Sequence, residues 1–216
     1  MSQKSKNQLP ENSYKKALRR TRQKPKSDLG LVKDLQTLGY ARIVGVDEVG
    51  RGAIAGPLVV CAVEINKYIE GVTDSKLLSK SIRSLLATKI HHNASQIRYG
   101  VVHAHEIDKL GISKSLELAY KRALAYANTD VILTDFVKLT SIKHISFVKG
   151  DLLNFSIACA SIMAKVYRDN LMRIYGISEP NYQWHQNVGY GTNAHFQAIK
   201  TYGKSKLHRN SFLIDF

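Results

Sequence analysis

The sequence has few acidic residues and contains no long apolar run. Its 216 residues include 17 acidic and 32 basic side chains, and the formal net charge is +15. No stretch approaches the roughly 20 consecutive apolar residues of a membrane-spanning helix, and the first residues lack the apolar core of a secretory signal. We therefore expect a cytoplasmic protein that does not enter a membrane. The positive charge favours a polyanionic partner, because neutralised phosphates release counterions.

Cysteine is also scarce, and histidine shows no metal-binding pattern. Cys61 and Cys159 each lie alone in an apolar segment, which argues against a disulfide framework and against a zinc knuckle. The eight histidines have no complete zinc-ligand spacing. We expect both cysteines to be reduced thiols in the core.

The basic residues are concentrated in the first 40 positions. This segment has ten basic and three acidic residues, so it carries +7 of the net charge of +15. Its start is polar and poor in apolar residues, which is typical of a disordered tail. We predict a basic, partly disordered N-terminal extension over residues 1–40, with a short helix within 29–39. The favoured interpretation is a solvated tail, and a nucleic-acid-binding arm is the alternative.

From residue 42 onward, apolar strands alternate with helical segments. This alternation predicts one α/β domain over residues 41–216, in which a largely buried mixed β-sheet is flanked by helices and followed by a helical C-terminal part. The predicted strands are 42–46, 58–65, 97–104, 131–134 and 145–148. The predicted helices are 79–92, 106–127 with an interruption near Gly111, and 152–175.

Several acidic residues lie where predicted strands end or a helix begins. Asp47 and Glu48 follow an apolar strand and precede a glycine-hinged basic turn. Buried acids cost several kcal/mol unless they are paired or bind a metal, so this pair predicts a cation site beside a phosphate site. Asp135 follows the apolar run 131–134, a common place for catalytic groups, although alone it is typical of a turn. Asp151 precedes the long predicted helix, where it could be an N-cap.

A series of short motifs runs along the chain. Residues 45–52 read Gly-Val-Asp-Glu-Val-Gly-Arg-Gly and are followed by Ala55-Gly56-Pro57. The later motifs are Asp74-Ser75-Lys76-Leu77, Glu106-Ile107-Asp108, residues 158–165, Arg168-Asp169, Gly189-Tyr190-Gly191-Thr192 and His208-Arg209-Asn210-Ser211-Phe212. The set covers nearly all of residues 42–212. In motifs and in order, the chain resembles ribonuclease HII, the type 2 ribonuclease H family.

The resemblance implies a ribonuclease H-like fold and an endoribonuclease. Such an enzyme hydrolyses the RNA strand of RNA–DNA hybrids and incises duplex DNA at embedded ribonucleotides, leaving a 3′-hydroxyl and a 5′-phosphate. It implies that Asp47, Glu48, Asp135 and Asp151 hold two divalent cations, Mg²⁺ or Mn²⁺. Two cations suit phosphodiester hydrolysis because they clamp the attacking and leaving oxygens of an in-line displacement. Primer removal and ribonucleotide excision repair are the expected roles.

The resemblance also implies a set of substrate-binding residues. They are Gly50, Arg51, Gly52, Ser75, Lys76 and Tyr190. The glycine–arginine–glycine turn is expected to read the 2′-hydroxyl that separates RNA from DNA, although such glycines also suit a plain tight turn. The serine and lysine are expected to contact phosphate at a helix entrance, with an ordinary helix cap as the alternative. The tyrosine is expected to stack beside the sugar that follows the ribonucleotide.

Two positions depart from the family pattern. Phe136 follows Asp135 where the family usually has glycine, and Val188 occupies a position where lysine is usual. These departures leave one alternative open, a basic RNA–DNA hybrid-binding protein with impaired catalysis. Ribonuclease HIII is a weaker match, because its fourth acid is usually glutamate whereas Asp151 is found here.

Four further residues stay outside the predicted catalytic set. Lys165 and Arg168 are three positions apart on the long predicted helix and are expected to share a face. Asp169 is expected to pair with a basic neighbour. His208 is left open between core packing and substrate positioning. A monomer is the expected state.

Overall fold

A mixed five-stranded sheet organises the computed structural model, which describes residues 29–212. The strands are β1 (Ile43–Val49), β2 (Leu58–Glu64), β3 (Gln96–Val102), β4 (Val131–Asp135) and β5 (Ile145–Phe147). Their order across the sheet is β3-β2-β1-β4-β5. Strand β1 pairs antiparallel with β2 and parallel with β4, so it is the central strand. The predicted mixed sheet is confirmed.

Eight helices and three short 3₁₀ turns are present within residues 29–212. The helices are α1 (Gly30–Thr37), α2 (Lys80–Asn93), α3 (Ala104–Leu110), α4 (Ile112–Leu124), α5 (Gly150–Leu153), α6 (Phe155–Ser178), α7 (Trp184–Asn187) and α8 (Asn193–Tyr202). The 3₁₀ turns are Ser75–Leu77, Pro180–Tyr182 and Asn210–Phe212. After β5 the described chain is helical, which confirms the predicted helical C-terminal part. No helix in this part of the chain is long and apolar enough to cross a membrane.

The sheet is covered by helices on both faces. One face packs against α1, α2 and α6, and the other packs against α3 and α4. Strand β1 alternates between the two faces, because Ile43 belongs to the first cluster whereas Val44 and Val46 belong to the second. A central strand with two buried faces explains the almost uninterrupted apolar sequence. Cys61 and Cys159 are free and buried in the first cluster, as expected.

Two glycines bring helices directly onto the backbone of the sheet. A Cβ at Gly45 in β1 would collide with the backbone of Ser156 and Ile157 in α6. A Cβ at Gly100 in β3 would collide with the carbonyl oxygen of Ala119 in α4. The start of α6 is therefore held against β1, close to the acidic residues of that strand.

Three local predictions need correction. Strand β1 runs to Val49, so Asp47 and Glu48 lie inside the strand rather than after it. The third strand stops at Val102, because Glu106 Oε2 accepts a hydrogen bond from His103 N at 2.9 Å and α3 begins at Ala104.

The third correction concerns the long helix. Asp151 lies inside the short helix α5 and does not cap α6. Asn154 caps α6, because its Oδ1 accepts hydrogen bonds from Ser156 N and Ile157 N at 3.0 and 3.2 Å. Asn154 has an extended backbone, with φ −130°, which separates the two helices.

The predicted N-terminal extension lies mostly outside the described residues, which begin at 29. Within it, the short helix expected over 29–39 is confirmed as α1. Leu31, Val32 and Leu35 of this helix are buried in the core against the sheet. The last part of the extension therefore packs with the sheet domain.

Candidate active site

The parallel pairing of β1 and β4 brings two carboxylates side by side. Val46 pairs with Thr134, and the next residues on the two strands are Asp47 and Asp135. Neighbouring strands lie about 4.8 Å apart, and residues at the same register point to the same face. Both acids therefore face the side of the sheet that α6 covers.

Asp47 is more buried than Asp135, with 9% of its surface exposed. Burial raises its pKa well above the usual range, and the charge of Glu48 raises it further. A hydrogen bond from Ser161 of α6 acts in the opposite direction. Ionised Asp47 is therefore unfavourable unless a positive charge lies beside it.

Glu48 lies on the opposite face of the sheet, because adjacent strand residues alternate. Tyr120 of α4 is fully buried, and its hydroxyl donates a hydrogen bond to Glu48 Oε2 at 2.9 Å. Burial raises the pKa of Glu48, although the Tyr120 bond and the charge of Arg51 lower it. Tyr120 thus fixes the orientation of a carboxylate that the sequence motif alone would place beside Asp47.

The fourth acid reaches the site through a contact between α5 and the end of β4. Gly150 N donates a hydrogen bond to Asp135 Oδ1 at 2.8 Å. A Cβ at Gly150 would lie 3.1 Å from the Asp135 Cα, so glycine permits this close approach. Asp151 follows directly and is buried. Burial raises its pKa to about 6, and the charges of Asp74 and Asp135 act in the same direction.

Lys76 is the positive charge that faces these acids. Its Nζ lies 3.9 Å from Asp151 Oδ2, and 79% of its side chain is exposed. Partial burial lowers the pKa of Lys76, but the charges of Asp74 and Asp151, together with those of the strand acids, give a net increase. Lys76 is therefore paired with the acidic site and still open to solvent.

Ser75 and Asp74 set the position of Lys76. The hydroxyl of Ser75 is buried and lies 3.0 Å from the hydroxyl of Ser161. Asp74 Oδ1 accepts a hydrogen bond from Lys76 N at 2.9 Å, which caps the 3₁₀ turn. Asp74 is also a fifth carboxylate beside the site, and the sequence analysis treated it only as part of a motif.

The donor chemistry of the site suits a hard divalent cation. Carboxylate oxygens are the ligands that Mg²⁺ and Mn²⁺ prefer, and a cation would relieve the repulsion that raises the pKa values of the acids. Within residues 29–212, however, no three His, Cys, Asp or Glu side chains are already grouped as a formed metal site. Glu48 is held by the Tyr120 hydroxyl, and Asp135 is held by the Gly150 N–H.

The glycine–arginine–glycine turn follows β1 immediately. Gly50 has φ +90°, and a Cβ there would clash with the Arg168 side chain. Gly52 differs, because a Cβ there would meet no atom of the described residues within 4 Å. Gly50 is therefore required by the fold, whereas the space over Gly52 is open to a ligand.

Two buried arginines hold this turn in place. Arg168 of α6 donates hydrogen bonds to three carbonyl oxygens, those of Pro57, Ala55 and Val188, at 2.8, 3.1 and 2.7 Å. Arg209 donates to the carbonyl oxygens of Gly56 and Arg51 at 3.0 and 3.2 Å. Both side chains are fully buried. We call the pair Arg168 and Arg209 the arginine clamp.

The arginine clamp was not predicted from the sequence. The predicted shared face of Lys165 and Arg168 is confirmed, since both lie over the Tyr190 ring. Lys165 Nζ pairs with Asp169 Oδ1 at 2.9 Å, as expected for that acid. A basic residue within the apolar segment of α6 was the available signal, but two of its three carbonyl partners lie more than a hundred positions away.

Tyr190 lies next to the glycine turn because the loop that contains Tyr190 is hydrogen-bonded to the segment that follows this turn. Ile54 N and Ala55 N both donate to the Gly189 carbonyl oxygen, at 2.9 and 3.0 Å. The half-buried Tyr190 ring has the Arg168 guanidinium 5.4 Å from its centre. Val188 has φ +44°, a conformation that β-branched residues rarely adopt. The structure thus brings Tyr190 together with the predicted 2′-hydroxyl-reading turn.

A pair of neutral histidines supports the Tyr190 loop. His195 Nδ1 donates to the Tyr190 carbonyl oxygen at 2.9 Å, so its Nε2 is the acceptor that receives the Trp184 indole N–H at 3.1 Å. His208 Nδ1 accepts from Ser205 N at 2.8 Å, and its Nε2 therefore donates to His195 Nε2 at 3.1 Å. His208 packs and orders this loop, which decides the question that the sequence left open.

Replacing His208 by glutamine should reduce the loss of stability in acid. Burial lowers the pKa of His208 to about 4, and the neighbouring His195 acts in the same direction. The unfolded chain, with a pKa near 6.5, binds more protons between these values, so acid lowers the free energy of unfolding by about 1–2 kcal/mol at pH 5. Urea unfolding of wild type and His208→Gln at pH 7 and pH 5 measures this, because titrations common to both proteins cancel. If the free energies of unfolding of the two proteins differed by the same amount at pH 7 and pH 5, the assignment of His208 as neutral would be contradicted.

Comparison with known proteins gives one consistent family. The family model described as Ribonuclease HII matches residues 44–214. The Ribonuclease HII of Sulfurihydrogenibium is 43% identical over 185 residues, which cover 83% of this chain and 94% of that protein. The Ribonuclease HII of Orientia tsutsugamushi (strain Ikeda) is 46% identical over 175 residues, covering 79% of this chain and 85% of that protein.

Solved structures show the same fold. A chain of the PCNA:RNase HII complex from Archaeoglobus fulgidus superposes with a TM-score of 0.71 at 21% identity, covering 82% of this chain and 97% of that chain. Bst-RNase HIII in complex with Mn²⁺ superposes with a TM-score of 0.58 at 21% identity, covering 79% of this chain and 64% of that chain.

The sheet order and these neighbours define a ribonuclease H-like fold. The family model and the relatives together cover most of the chain. The chain belongs to the ribonuclease HII family, and it is an endoribonuclease of RNA–DNA hybrids.

Proposed function

We propose that the chain cleaves RNA–DNA hybrids and also incises duplex DNA at embedded ribonucleotides, by two-metal-ion hydrolysis. The observation that carries the proposal is the placement of Asp47 and Asp135 at the same register on adjacent parallel strands. Asp151 joins them through the contact of α5 with β4, and Glu48 interacts electrostatically with Asp135 from the other face. The products would be a 3′-hydroxyl and a 5′-phosphate.

The four acids would hold the cations, for which Mg²⁺ and Mn²⁺ are the candidates. The Mn²⁺ complex of the similar Bst-RNase HIII supports this choice. When bound, two such cations would supply an activated water and stabilise the leaving oxygen. Tyr120 and Ser161 would orient Glu48 and Asp47 during this reaction. The raised pKa of Asp151 means that protons compete with the cations as the pH falls towards 6.

The residues around the acids would position the nucleic acid. Arg51 is exposed on the turn that the arginine clamp holds, and it would contact phosphate while backbone groups of Gly50 and Gly52 read the 2′-hydroxyl. Tyr190, joined to this turn, would stack on the following sugar. The exposed ammonium of Lys76 would contact phosphate, whereas the buried Ser75 hydroxyl would act only by placing its neighbour.

The proposal includes the cellular location and the oligomeric state of the protein. The two free, buried thiols support the cytoplasm as its location. A monomer that acts on nucleic acid is the state we propose. The alternative of an impaired hybrid-binding protein has its support in Phe136, which is exposed directly beside Asp135.

The decisive experiment is a cleavage assay with three substrates. They are a DNA duplex with one ribonucleotide, a long RNA–DNA hybrid and an all-DNA duplex, each tested with Mg²⁺, with Mn²⁺ and with chelator. We expect incision of the first two substrates with either cation, and no incision of the all-DNA duplex or with chelator. Binding of the hybrid without cleavage in both cations would instead establish the impaired binder.

Replacing Gly52 by alanine should reduce incision at a ribonucleotide without changing the stability of the fold. Because a Cβ there meets no described atom within 4 Å and the backbone needs no positive φ, the melting temperature should stay within about 2 °C of wild type. Incision at a single ribonucleotide should fall by about 10- to 100-fold, because the methyl group occupies the space of the sugar. Calorimetry and single-turnover incision measure the two effects. Full incision activity would show that the substrate does not approach Gly52.

A further inference from the structure

Phe136 is an aromatic side chain held in solvent beside the acidic site. It follows Asp135, the last residue of β4, and 75% of its surface is exposed. A single exposed phenyl ring is ordinary on a protein surface, so its place beside the acids, and not its exposure alone, makes it a candidate substrate contact. Covering the ring would release the free energy of burying its apolar surface. The glycine that is usual at this position in the family would supply no such surface.

Hydrogen bonds hold the backbone around Phe136, so its Cα keeps a defined position next to Asp135. Ser146 Oγ accepts a hydrogen bond from Val137 N and donates one to the Asp135 carbonyl oxygen, both at 3.2 Å. His144 Nε2 lies 3.1 Å from the carbonyl oxygen of Val137. These contacts hold both peptide groups that flank Phe136.

The residues that follow alternate between core and solvent. Val137 and Leu139 are buried in the hydrophobic cluster on the α3–α4 face. Phe136 and Lys138 are exposed, as expected for extended chain in which successive side chains point in opposite directions. The described chain therefore presents an aromatic ring and a lysine side by side at the rim of the site.

Charge indicates which partner covers the ring. Lys138 and Lys149 are exposed on the two segments that follow β4 and β5, and the whole chain has a net charge of +15. A polyanion is attracted to such a rim, whereas an acidic site alone would repel it. An aromatic face beside cations is the combination that binds nucleobases and their phosphates.

We propose that Phe136 stacks on a nucleobase of the bound nucleic acid, next to the cleaved bond, while Lys138 contacts the adjoining phosphate. The inference rests on the proposed function for the location of the substrate. It adds a base contact at the third acid, which the substrate-binding residues assigned above do not include. Every base has a π-face, so this contact strengthens binding without reading sequence.

Steady-state kinetics and a binding measurement together test the proposal. Phe136→Ala should raise KM for the ribonucleotide-containing duplex by about 10-fold and change kcat by less than about 2-fold, because stacking is already made in the ground state. Phe136→Tyr should keep the wild-type KM. Tyr126→Ala is the matched control, since Tyr126 is also an exposed aromatic residue but lies before β4, at the far end of that strand.

A binding measurement keeps this test independent of cleavage. Fluorescence anisotropy of an end-labelled duplex with one ribonucleotide measures the affinity, with Asp47→Asn protein to prevent turnover. Adding Phe136→Ala should weaken binding by about 10-fold, whereas adding Phe136→Tyr should leave it unchanged, because stacking depends on the ring. Equal affinities with and without Phe136→Ala would overturn the stacking proposal even if the enzyme cleaves. Absence of cleavage by wild type would contradict the proposed function alone, and the affinities would still decide the role of Phe136.

Discussion

Replacing Asp47 by asparagine should abolish metal-dependent cleavage while it stabilises the metal-free protein. If Asp47 holds a cation as we propose, its loss should reduce the rate by about 10³-fold or more, because several kcal/mol of transition-state stabilisation would depend on the cations. The neutral amide keeps the shape of the side chain and its contact with Ser161. It also removes the buried charge that Glu48 repels, so the free energy of unfolding should rise by about 1 kcal/mol.

The pH dependence of this stability gain has a defined sign. The pKa of Asp47 is raised in the folded protein, so its destabilising charge is fully present above the folded pKa. As the pH falls towards the unfolded pKa of about 3.9, folded Asp47 takes up a proton first and the penalty disappears. The stability difference between Asp47→Asn and wild type should therefore shrink in acid.

Cleavage rates in Mg²⁺ or Mn²⁺ test the first claim, and urea unfolding in chelator from pH 8 to pH 5 tests the second. Glu70→Gln is the matched control, because it removes one exposed acidic charge away from the site. Retention of cleavage by Asp47→Asn would show that this acid is not needed to hold the cations. A variant that is less stable than wild type at pH 8 would show that Asp47 is not strained in the metal-free protein.

Replacing Arg168 by methionine should have the largest effect on stability. Methionine fills much of the same volume but donates no hydrogen bonds, so the carbonyl oxygens of Ala55, Pro57 and Val188 lose their partner. Unsatisfied buried acceptors cost about 1–3 kcal/mol each, and partial relaxation should limit the total loss to about 3–5 kcal/mol. The stability of Arg168→Lys should lie between those of wild type and Arg168→Met. An ammonium group lacks the planar, forked geometry of a guanidinium and cannot reach all three acceptors.

The same substitution should also weaken recognition of the ribonucleotide. Arg168 joins the glycine turn to the Val188 carbonyl group and lies over the Tyr190 ring, so its loss should let the two substrate loops move apart. Urea unfolding and the KM for single-ribonucleotide duplexes measure the two consequences. Arg173→Met is the control on the same helix. Arg173 is exposed, and within the described residues its side chain donates a hydrogen bond to Asn170. A KM for Arg168→Met equal to that of the control would limit the arginine clamp to a structural role.

Several features could be predicted from the sequence because their signals are local. The apolar run of β1 and the alternation of strands with helices follow from periodicities that a short window contains. The placement of Asp135 at the end of a strand was visible in the same way, since an acid directly follows four residues of apolar sequence. The ordered motifs identified the family, and with it the proposed roles of the acids.

Other features depend on partners that are distant in the chain. The sequence cannot show that Glu48 lies across the sheet from Asp47, because this required the strand to continue to Val49. Nor can it show that Asn154, rather than Asp151, caps α6, since both are good cap residues and the contact of Gly150 with β4 decides between them.

The sequence by itself determined the family and the mixed sheet, and it led to the proposal for the four acids, because each is encoded in a local pattern or an ordered motif. Only the tertiary structure decided how these parts are held. It placed Arg168 against carbonyl groups more than a hundred positions away, buried the Ser75 hydroxyl against Ser161 and left Phe136 in solvent. These outcomes depend on which surfaces meet when the helices pack on the sheet, and no short stretch of sequence contains that information.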